Sequence, residues 1–510
     1  MTPRLSSLLS ITILMGCAAM NTLAAPGVRG PKKGDNDGGG DNSDNDLKGV
    51  VTCPSQNLYL AELFVSSGGA SPRGNTPTLL IDPMQQFQEI QGFGYTLTGG
   101  SAQHLMGLSA AKRAAILEEL FSPTTGKGIS TLRIPVGASD LDSDPYSYND
   151  LDNLGLTEDP NLFYFTMERD YEFRIPLLHE IKAINPNIQL MATPWSAPSW
   201  MKDTKTTVGG SLIKEYFPVY ANYLVKFLQE MDNEGLHVEL LTIQNEPLNW
   251  HNNPSMYMLW WDQRDFIRDA LHPAVSGAGL TTKLLLYDHN ADVPSYATDI
   301  LSDSSVYDMV EGSAFHLYGG SIDALSQVKD AFPEKAVHFT EQWVSSDGQF
   351  EGDLMWHSQN ILIGGLQNHA ATVLEWNLSS DPNMMPHTDG GCENCLGAIT
   401  IDNTADEVVA RNVAYYLLAH ASPHLPRGSF RIGSSWSGNG NPPSDVDQVV
   451  LQHPTSGDAV VLVANRGGGD TRIALGSTQV TDTIAQIVLP PRSLYTLIIP
   501  SAQVGTNVGI

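Results

Sequence analysis

Two short apolar stretches of the chain each end near a glutamate, and the two glutamates could work as a pair. Residues 240–246 end in Glu246, and residues 336–343 contain Glu341. Glycoside hydrolysis needs one carboxyl group to donate a proton and another to act as nucleophile or base across the glycosidic bond. A single glutamate at a strand end is more often an ordinary surface residue. The pair, in the pattern described below, predicts that Glu246 and Glu341 are catalytic.

Side chains of sugar-binding type stand at the ends of most other apolar runs. Amides, an arginine, a histidine and aromatic rings offer hydrogen bonds to hydroxyl groups and flat apolar faces for the sugar ring. Any one of them alone would be explained as a core residue, but a polar or aromatic group at nearly every run end favours a binding site. The predicted substrate-binding residues are Arg133, Trp195, Asn245, His316, Tyr318, Trp343 and Trp376.

The composition narrows the substrate class. The chain has 510 residues, a formal net charge of −28 and a pI near 4.7. This charge argues against nucleic acid as a partner and against an anionic substrate, whereas a neutral sugar fits it. Neither histidines nor cysteines show the spacing of a complete metal site. Hydrolysis by two carboxylates needs no metal or other cofactor, and we expect none.

The elements that must position these residues alternate between residues 89 and 420. Eight short apolar runs are separated by amphipathic stretches, for example 109–121, 168–184 and 211–231. This alternation predicts parallel strands with helical crossovers, and eight units match a (β/α)8 barrel, in which catalytic groups lie at the carboxyl ends of the strands. The runs are 90–95, 129–136, 188–195, 240–246, 283–289, 310–318, 337–343 and 371–378.

A doubly wound open sheet is the rival architecture. It would usually bind a nucleotide through a glycine-rich turn after the first strand. Gly92 and Gly94 do follow that point, but the third glycine of the pattern and the later acidic residue are missing. The barrel is therefore preferred.

Both ends of the chain show a different pattern from the barrel. Residues 421–510 contain short strands separated by Gly, Pro, Asp and Ser, and residues 50–88 contain similar pieces. These features predict an antiparallel β-sandwich side domain built from both ends of the chain.

The N-terminal segment has the features of an export signal. Residues 1–25 combine Arg4, a short apolar run and small residues near a cleavage site, so a secreted, periplasmic or surface location is expected. The residues around Cys17 alternatively resemble a lipoprotein box, which would make Cys17 a lipid anchor. Residues 26–49 are rich in Gly, Asp and Asn and predict a flexible linker. We expect a monomer.

Two cysteines lie close together in a glycine-rich loop. In an exported protein Cys392 and Cys395 can form a disulfide that holds the loop. A Cys-x-x-Cys pair can also be half of a zinc site, but the second half does not follow it. The disulfide is favoured, and Cys53 is left without an assignment.

Six motifs together resemble glycoside hydrolase family 30, which holds glucosylceramidases, β-1,6-glucanases and some xylan-active enzymes. The resemblance implies a retaining enzyme with a barrel and a side β-domain, with Glu246 as acid/base and Glu341 as nucleophile. It also implies that Asn245 bonds the sugar 2-hydroxyl and that Arg133 orients Glu341, unless Arg133 makes only a structural salt bridge. The motifs lie at 89–94, 132–136, 192–202, 244–247, 339–343 and 376–378.

The sequence departs from the glucosylceramidase pattern at Gly99. The resemblance places an aspartate there in glucosylceramidases, and its loss is expected to open space at the far edge of the sugar. Room for a substituted glucose, together with the loop at 389–395, resembles the β-1,6-glucanase branch. The predicted function is therefore endo-β-1,6-glucanase. The alternatives are a glucosylceramidase or exo-β-glucosidase of the same family, and a non-catalytic glycan-binding surface protein, against which the presence of both glutamates argues.

Mutual repulsion between the two glutamates predicts how they ionise. Like charges at close range resist joint ionisation, so we expect Glu246 to hold a proton while Glu341 is charged. Trp195, Trp343 and Trp376 are expected to form apolar walls, with Trp376 as the floor. His316 and Tyr318 are expected to bond either Glu341 or the sugar.

Overall fold

The structure is a computed structural model that describes residues 46–68, 76–437 and 442–506. Eight parallel strands close into a barrel, which confirms the predicted architecture. Each strand falls within, or within two residues of, one of the eight predicted runs, because buried parallel strands must be apolar on both faces. In chain order they are Gly92–Thr96, Thr131–Val136, Gln189–Pro194, Val238–Thr242, Lys283–Ala291, Gly312–Gly320, Ala336–Glu341 and Ala370–Glu375.

The inside of the barrel is filled by side chains. Met191, Leu240, Leu285 and Leu374 come from the third, fourth, fifth and eighth strands and form one buried cluster. They exclude water from the barrel interior, so polar side chains at the carboxyl ends of the strands rest on an apolar layer.

Helices and short strands surround the barrel, and the short helices Pro54–Gln56 and Ser501–Val504 contact the side sheet. The α-helices are Gly99–Gly107, Ala110–Phe121, Glu168–Glu172, Arg174–Ile184, Phe217–Asn233, Trp260–Phe266, His272–Gly277, Ser295–Leu301, Ser304–Tyr307, Ala324–Ala331, Phe350–His357, Gly364–Gln367, Val413–Ala419 and Ser501–Val504. Ile267–Leu271 and Ser358–Ile363 are π-helical, and Pro54–Gln56, Asp152–Leu154, Ser199–Met201 and Lys214–Tyr216 are 3-10 turns. Short strands over the barrel mouth are Val344–Ser345, Ser379–Ser380, Cys395–Leu396, Ile399–Asp402 and Glu407–Arg411.

Two predicted helices differ from the structure for reasons that involve proline. The stretch 168–184 breaks at Phe173, where φ is −133°. Pro176 follows three residues later, and its ring would clash with the carbonyl four residues back in a continuous helix. The stretch 211–231 becomes helical only at Phe217, where Pro218 occupies the first turn and favours a helix start.

A nine-stranded sheet forms the side domain from both parts of the chain. Neighbouring strands are antiparallel except Thr78–Glu89 with Thr471–Ser477, which is a parallel pair. The sheet encloses its own buried core, in which Val51, Ile81, Val463 and Ile487 belong to one cluster. Its order is Leu58–Val65, Leu47–Cys53, Ser493–Ile499, Ala459–Asn465, Val446–Gln452, Phe430–Ser437, Thr78–Glu89, Thr471–Ser477 and Ala485–Leu489.

The first strand of this sheet begins at Leu47, so the end of the predicted linker 26–49 is wrong by three residues. Leu47 is fully buried in the side-domain core, which explains why the strand extends beyond the polar stretch. The predicted signal 1–25 and Cys17 lie outside the described residues. Within the described ranges, every helix is too short or too polar to cross a bilayer.

Barrel and side sheet meet at His420. Its imidazole lies between Thr52 of the first sheet strand (Nε2 to Oγ1, 2.9 Å) and Thr496 of the last (Nδ1 to Oγ1, 2.8 Å). Burial lowers the pKa of His420 to about 3, so the ring is neutral and both its nitrogens are used by hydroxyl groups.

Candidate active site

The two glutamates predicted from sequence meet at the carboxyl end of the barrel. Glu341 is the last residue of the seventh strand, and Glu246 lies four residues beyond the end of the fourth. A carboxylate oxygen of Glu246, a ring nitrogen of His316 and a carboxylate oxygen of Glu341 all lie within 4.8 Å of one another. Glu246 has a φ of 44°, in the left-handed region that a non-glycine residue adopts at some energetic cost and that is frequent at active sites.

Arg133 organises the floor of this cluster. Its fully buried guanidinium donates to Glu341 Oε2 (2.6 Å), Asn245 Oδ1 (2.7 Å) and Asp288 Oδ2 (2.9 Å). It also lies 4.8 Å from the ring centre of Trp195, a cation–π distance. A buried charge of this kind is stable only because several partners share it, and those partners hold the nucleophile candidate and the amide in fixed positions.

Asp288 was not predicted from the sequence. It lies in the fifth strand, where Tyr287 and Asp288 both have positive φ and the pairing register shifts. This bulge turns the carboxylate into the barrel, where Thr242 and Thr340 also donate to it, each at 2.7 Å. Burial raises the pKa of Asp288, but the charge of Arg133 and the bond from His316 outweigh it and hold the pKa far below its usual value.

His316 connects the buried aspartate with both glutamates. Its Nε2 lies 3.1 Å from Asp288 Oδ1, and its Nδ1 lies 3.3 Å from Glu246 Oε1 and 3.6 Å from Glu341 Oε1. Because Asp288 is ionised, Nε2 carries a proton and donates to it. Burial lowers the pKa of His316, but Glu341, Asp288 and Glu246 together raise it to about 10. The ring is therefore a cation, with its second proton on Nδ1.

This cation changes the expected ionisation of the pair. Burial raises the pKa of Glu246, yet the hydrogen bond and charge of His316 outweigh it and lower the pKa to about 2. Burial also raises the pKa of Glu341, against the charges of His316 and Arg133. The expectation that the resting proton lies on Glu246 considered two carboxylates alone and left out the imidazolium between them.

Two further groups bond the carboxylates. Tyr318 donates its hydroxyl to Glu341 Oε1 at 3.0 Å, which is one of the two bonds expected from the sequence. The Asn249 side-chain amide donates to Glu246 Oε2 at 2.7 Å. Each glutamate thus has both oxygens in contact with a donor or with His316, which fixes its orientation.

Aromatic rings line the cavity above the glutamates, which has a volume of about 420 Å³. Trp195 and Trp376 are buried and face each other with ring centres 5.6 Å apart, and Trp343 packs against them. All nine residues predicted from sequence lie in this region: six line the cavity, and Arg133, Asn245 and His316 lie in hydrogen-bond contact with its carboxylates or with each other.

The disulfide loop forms one wall. Cys392 and Cys395 are bonded, with sulfurs 2.08 Å apart, as predicted, and both line the cavity. The Cys392 N–H donates to Asp140 Oδ2 at 3.3 Å, and Thr388 N–H donates to the Asp140 carbonyl at 2.9 Å. Burial, followed by repulsion from Glu341 and Glu246, raises the pKa of Asp140 to about 7.

The space expected at Gly99 is not open. A Cβ placed on Gly99 would lie 1.6 Å from Asp142 Oδ1, so the Asp142 carboxylate already occupies this volume. Ser139 holds the carboxylate through its N–H (2.8 Å) and hydroxyl (2.9 Å). The inference from Gly99 to a wider sugar site is therefore wrong. The structure instead places Asp140, two residues earlier, in the cavity wall.

A larger cavity, of about 650 Å³, lies at the opposite end of the barrel, near Ser130, Ile188 and His237, which precede the second, third and fourth strands. None of the described residues that line it is a Trp, Tyr or Phe. The smaller cavity combines the carboxylate pair with aromatic walls and is the candidate active site.

Asp140, Asn249 and Asp288 belong to this site but were missed by the sequence reasoning. A carboxylate within the apolar run Leu-Leu-Leu-Tyr-Asp288 was an available signal, since a buried charge needs partners. The contacts of Asp140 and Asn249 depend on how the loops fold and leave no comparable signal.

Comparisons with known proteins agree with this geometry. The family described as glycosyl hydrolase family 30 TIM-barrel domain matches residues 90–425. An endo-1,6-β-D-glucanase of Aspergillus fumigatus is 32% identical, covering 88% of this chain and 93% of its own. The lysosomal acid glucosylceramidase of Mus musculus is 27% identical, with 85% and 86% covered. The solved structure of an endo-β1,6-glucanase superposes with a TM-score of 0.79 at 30% identity, covering 89% of this chain and 99% of that one.

Proposed function

The chain belongs to glycosyl hydrolase family 30, and on that basis we propose that it hydrolyses β-1,6-glucan with retention of configuration at the anomeric carbon. It is a glycoside hydrolase, and its substrate is a carbohydrate. The observation that carries the proposal is the pair Glu246 and Glu341, with oxygen atoms within 4.8 Å. Carboxyl groups about 5 to 5.5 Å apart suit retention, whereas inverting enzymes need about 6.5 to 9.5 Å to admit a water molecule.

In the first step, Glu341 attacks the anomeric carbon while the bond to the leaving oxygen breaks. Glu246 gives this oxygen a proton, which it has received from His316 Nδ1 at 3.3 Å. The products of the step are a glycosyl ester on Glu341 and a free hydroxyl on the departing chain. Arg133, bonded to Glu341 Oε2, keeps the nucleophile ionised and aligned before attack.

In the second step, a water molecule displaces Glu341 from the sugar. Glu246, which lost its proton in the first step, removes one proton from the water as the new bond forms. The negative charge of Glu341 has been lost to the ester, so Glu246 no longer faces a neighbouring anion. At the end Glu341 is ionised again and one proton has returned to the cluster.

The other residues position the sugar. Asn245 accepts from Arg133 through Oδ1, so its NH₂ group remains to donate to the 2-hydroxyl. Trp376 and Trp195 offer apolar faces at the cavity floor. Asp140 stands in the wall with a carboxyl group available for a hydroxyl of the same sugar. Tyr318 holds Glu341 through its hydroxyl.

The substrate is tested by incubating the purified protein with β-1,6-glucan, β-1,3-glucan and glucosylceramide and resolving the products by size. We expect short 6-linked oligosaccharides from the first substrate alone. Release of ceramide, with the polymer untouched, would contradict the proposed substrate and favour a glucosylceramidase. Turnover of none of the three would contradict catalysis on these substrates altogether.

Azide distinguishes the roles of the two glutamates, with an activated β-glycoside as substrate. In Glu341→Gly, azide replaces the nucleophile and should give an α-glycosyl azide. In Glu246→Ala, azide attacks the glycosyl ester in place of water and should give the β-glycosyl azide. Glu334→Gln, an exposed glutamate before the seventh strand, is the matched control and should retain full activity. The opposite pairing of product anomers would reverse the assignment.

Export also belongs to the proposal. The signal-like residues 1–25, the linker that follows and the choice of a monomer rest on sequence alone, as does the lipid anchor at Cys17. We propose a barrel domain from residue 89 to 420 and a side domain from residues 47–88 and 421–510. The acidic charge of −28 supports the exclusion of nucleic acid as a partner.

A further inference from the structure

The loop that carries Glu246 continues into an exposed tryptophan. Trp250 has 54% of its surface exposed, although its neighbours Asn249, His251 and Asn252 line the active-site cavity. Tryptophan is usually well buried, because its indole removes a large apolar area from water. An indole left open at the edge of a sugar-binding cavity therefore has surface available to a ligand.

Trp250 is held by contacts with the exposed neighbouring ring of His251 and with the backbone of Gly209. The His251 ring lies with its centre 3.6 Å from that of Trp250, at 33° to it. Gly209, at a φ of +61°, approaches so closely that a Cβ there would lie 3.1 Å from the Trp250 carbonyl oxygen. These contacts hold the residue in position while half of its surface remains open.

Residues 253–255, which follow Trp250, are fixed by hydrogen bonds to three other segments. The Asn253 side chain donates to the Asp389 carbonyl (2.9 Å) and accepts from the Thr207 hydroxyl (2.9 Å). The Ser255 carbonyl accepts from the buried Lys202 ammonium at 2.7 Å. A surface that is already ordered loses less conformational entropy when a ligand binds.

The position of Trp250 indicates which part of the substrate it would meet. Glu246 protonates the leaving oxygen, so it faces the leaving-group side of the bond. Asn249 bonds Glu246 at 2.7 Å, and Asn249, His251 and Asn252 line the cavity beside it. We propose that Trp250, backed by His251, is a platform for the glucosyl unit on the leaving-group side of the cleaved bond. This inference rests on the proposed function and adds the subsite that makes a polymer a better substrate than a small glycoside.

Single exposed tryptophans are common on protein surfaces, and two others provide controls. Trp261 and Trp356 are each 41% exposed and lie on the helices Trp260–Phe266 and Phe350–His357. Trp250 does not itself line the active-site cavity but is flanked by residues that do, whereas neither Trp261 nor Trp356 has a chain neighbour in the cavity lining. Their replacement removes an exposed indole without touching the proposed subsite.

The test compares two substrates of the full chain. One is a 6-linked gluco-oligosaccharide, whose leaving group is a sugar, and the other is the β-fluoride of a 6-linked disaccharide, whose leaving group is a single atom. In Trp250→Ala we expect kcat/KM for the oligosaccharide to fall on the order of 10- to 100-fold, as for a buried aromatic contact in an interface. Hydrolysis of the fluoride should stay within about twofold, and Trp250→Phe should recover part of the loss because a ring face remains.

A second measurement uses the same fluoride as donor. Added 6-linked disaccharide competes with water for the glycosyl ester. If Trp250 binds this disaccharide, a larger fraction of the glycosyl groups is transferred to it instead of to water. Trp250→Ala should lower this fraction, whereas Trp261→Ala and Trp356→Ala should not. The platform would be refuted if Trp250→Ala lowered kcat/KM equally for both substrates or left the fraction of transfer product unchanged. It would also be refuted if the control variants had the same effect as Trp250→Ala. Wild-type protein that hydrolyses the fluoride but not the glucan would instead contradict the proposed substrate, and the platform with it.

Discussion

Replacing His316 with glutamine removes one positive charge from between the two glutamates. The neutral amide can still bond Asp288, which also keeps Arg133, Thr242 and Thr340 as donors. The buried aspartate therefore stays paired, and the fold should survive. What changes is the group that holds the proton needed by Glu246.

The size of the effect follows from the distances. His316 Nδ1 lies 3.3 Å from Glu246 Oε1 and 3.6 Å from Glu341 Oε1. Because the charge is spread over the ring, a separation of about 4 Å is appropriate, and unit charges at that distance interact by about 4 kcal/mol at an effective dielectric constant of about 20. This energy corresponds to about 3 pH units.

The direction follows from where the proton resides. In the wild type the cluster keeps its proton until His316 loses it, at a pKa of about 10. In His316→Gln the proton must reside on Glu246, where burial and the charge of Glu341 raise the pKa and Asn249 opposes them. Loss of the imidazolium should raise the Glu246 pKa by about 3 pH units from about 2. The basic limb of kcat/KM should therefore move from near pH 10 down to about pH 5, since this parameter reports ionisation of the free enzyme.

The assay is hydrolysis of a 6-linked gluco-oligosaccharide from about pH 4 to 10, because its sugar leaving group needs the proton that Glu246 supplies. Asp140 titrates in both proteins, so the two profiles are compared with each other. His289→Gln is the control, since His289 is also buried but its Nδ1 has no hydrogen-bond partner within the described structure. A basic limb that stays in place in His316→Gln would refute the reasoning, as would an equal shift in the control.

Three further predictions concern other parts of the molecule. Asp140→Asn should raise the melting temperature at pH 8 and lower kcat/KM. The folded pKa of Asp140, about 7, lies above the unfolded value of 3.8, so its carboxyl group destabilises the fold as pH rises between these two values. Gly99→Ala should destabilise the protein by about 1–3 kcal/mol through overlap with Asp142, and in a double-mutant cycle with Asp142→Ala the two effects should not add. His420 has a folded pKa near 3 against 6.5 unfolded, so its stabilisation is complete above pH 6.5 and falls by about 2 kcal/mol by pH 5. In His420→Gln, the decline in melting temperature between pH 7 and 5 should be smaller.

The barrel and the meeting of Glu246 and Glu341 at its carboxyl end could be predicted from sequence because their signals are local. Parallel strands that are buried on both faces appear in the sequence as continuous apolar runs. Glu246 and Glu341 lie at the ends of two such runs. Trp195, Trp376 and the Cys392–Cys395 disulfide were found for the same reason, since they lie within short motifs at strand ends or in one loop.

The parts that sequence reasoning missed depend on contacts between distant segments. The inward turn of Asp288 comes from a bulge that pairing with the sixth strand creates. The proton on His316 follows from three carboxylates that approach it from different strands. The volume beside Gly99 is occupied by Asp142 through a loop conformation that residue types do not specify.

The pairing of the first and last strands of the side sheet constrains the order of events during synthesis. Leu47–Cys53 lies between Leu58–Val65 and Ser493–Ile499, so one of its edges stays empty until residues 493–499 have been made. At usual elongation rates this interval is on the order of tens of seconds. The barrel strands all emerge within it, so the catalytic domain can form first. The side sheet closes only after Ser493–Ile499 has been made, and this strand then joins Leu47–Cys53 to the strands that follow the barrel.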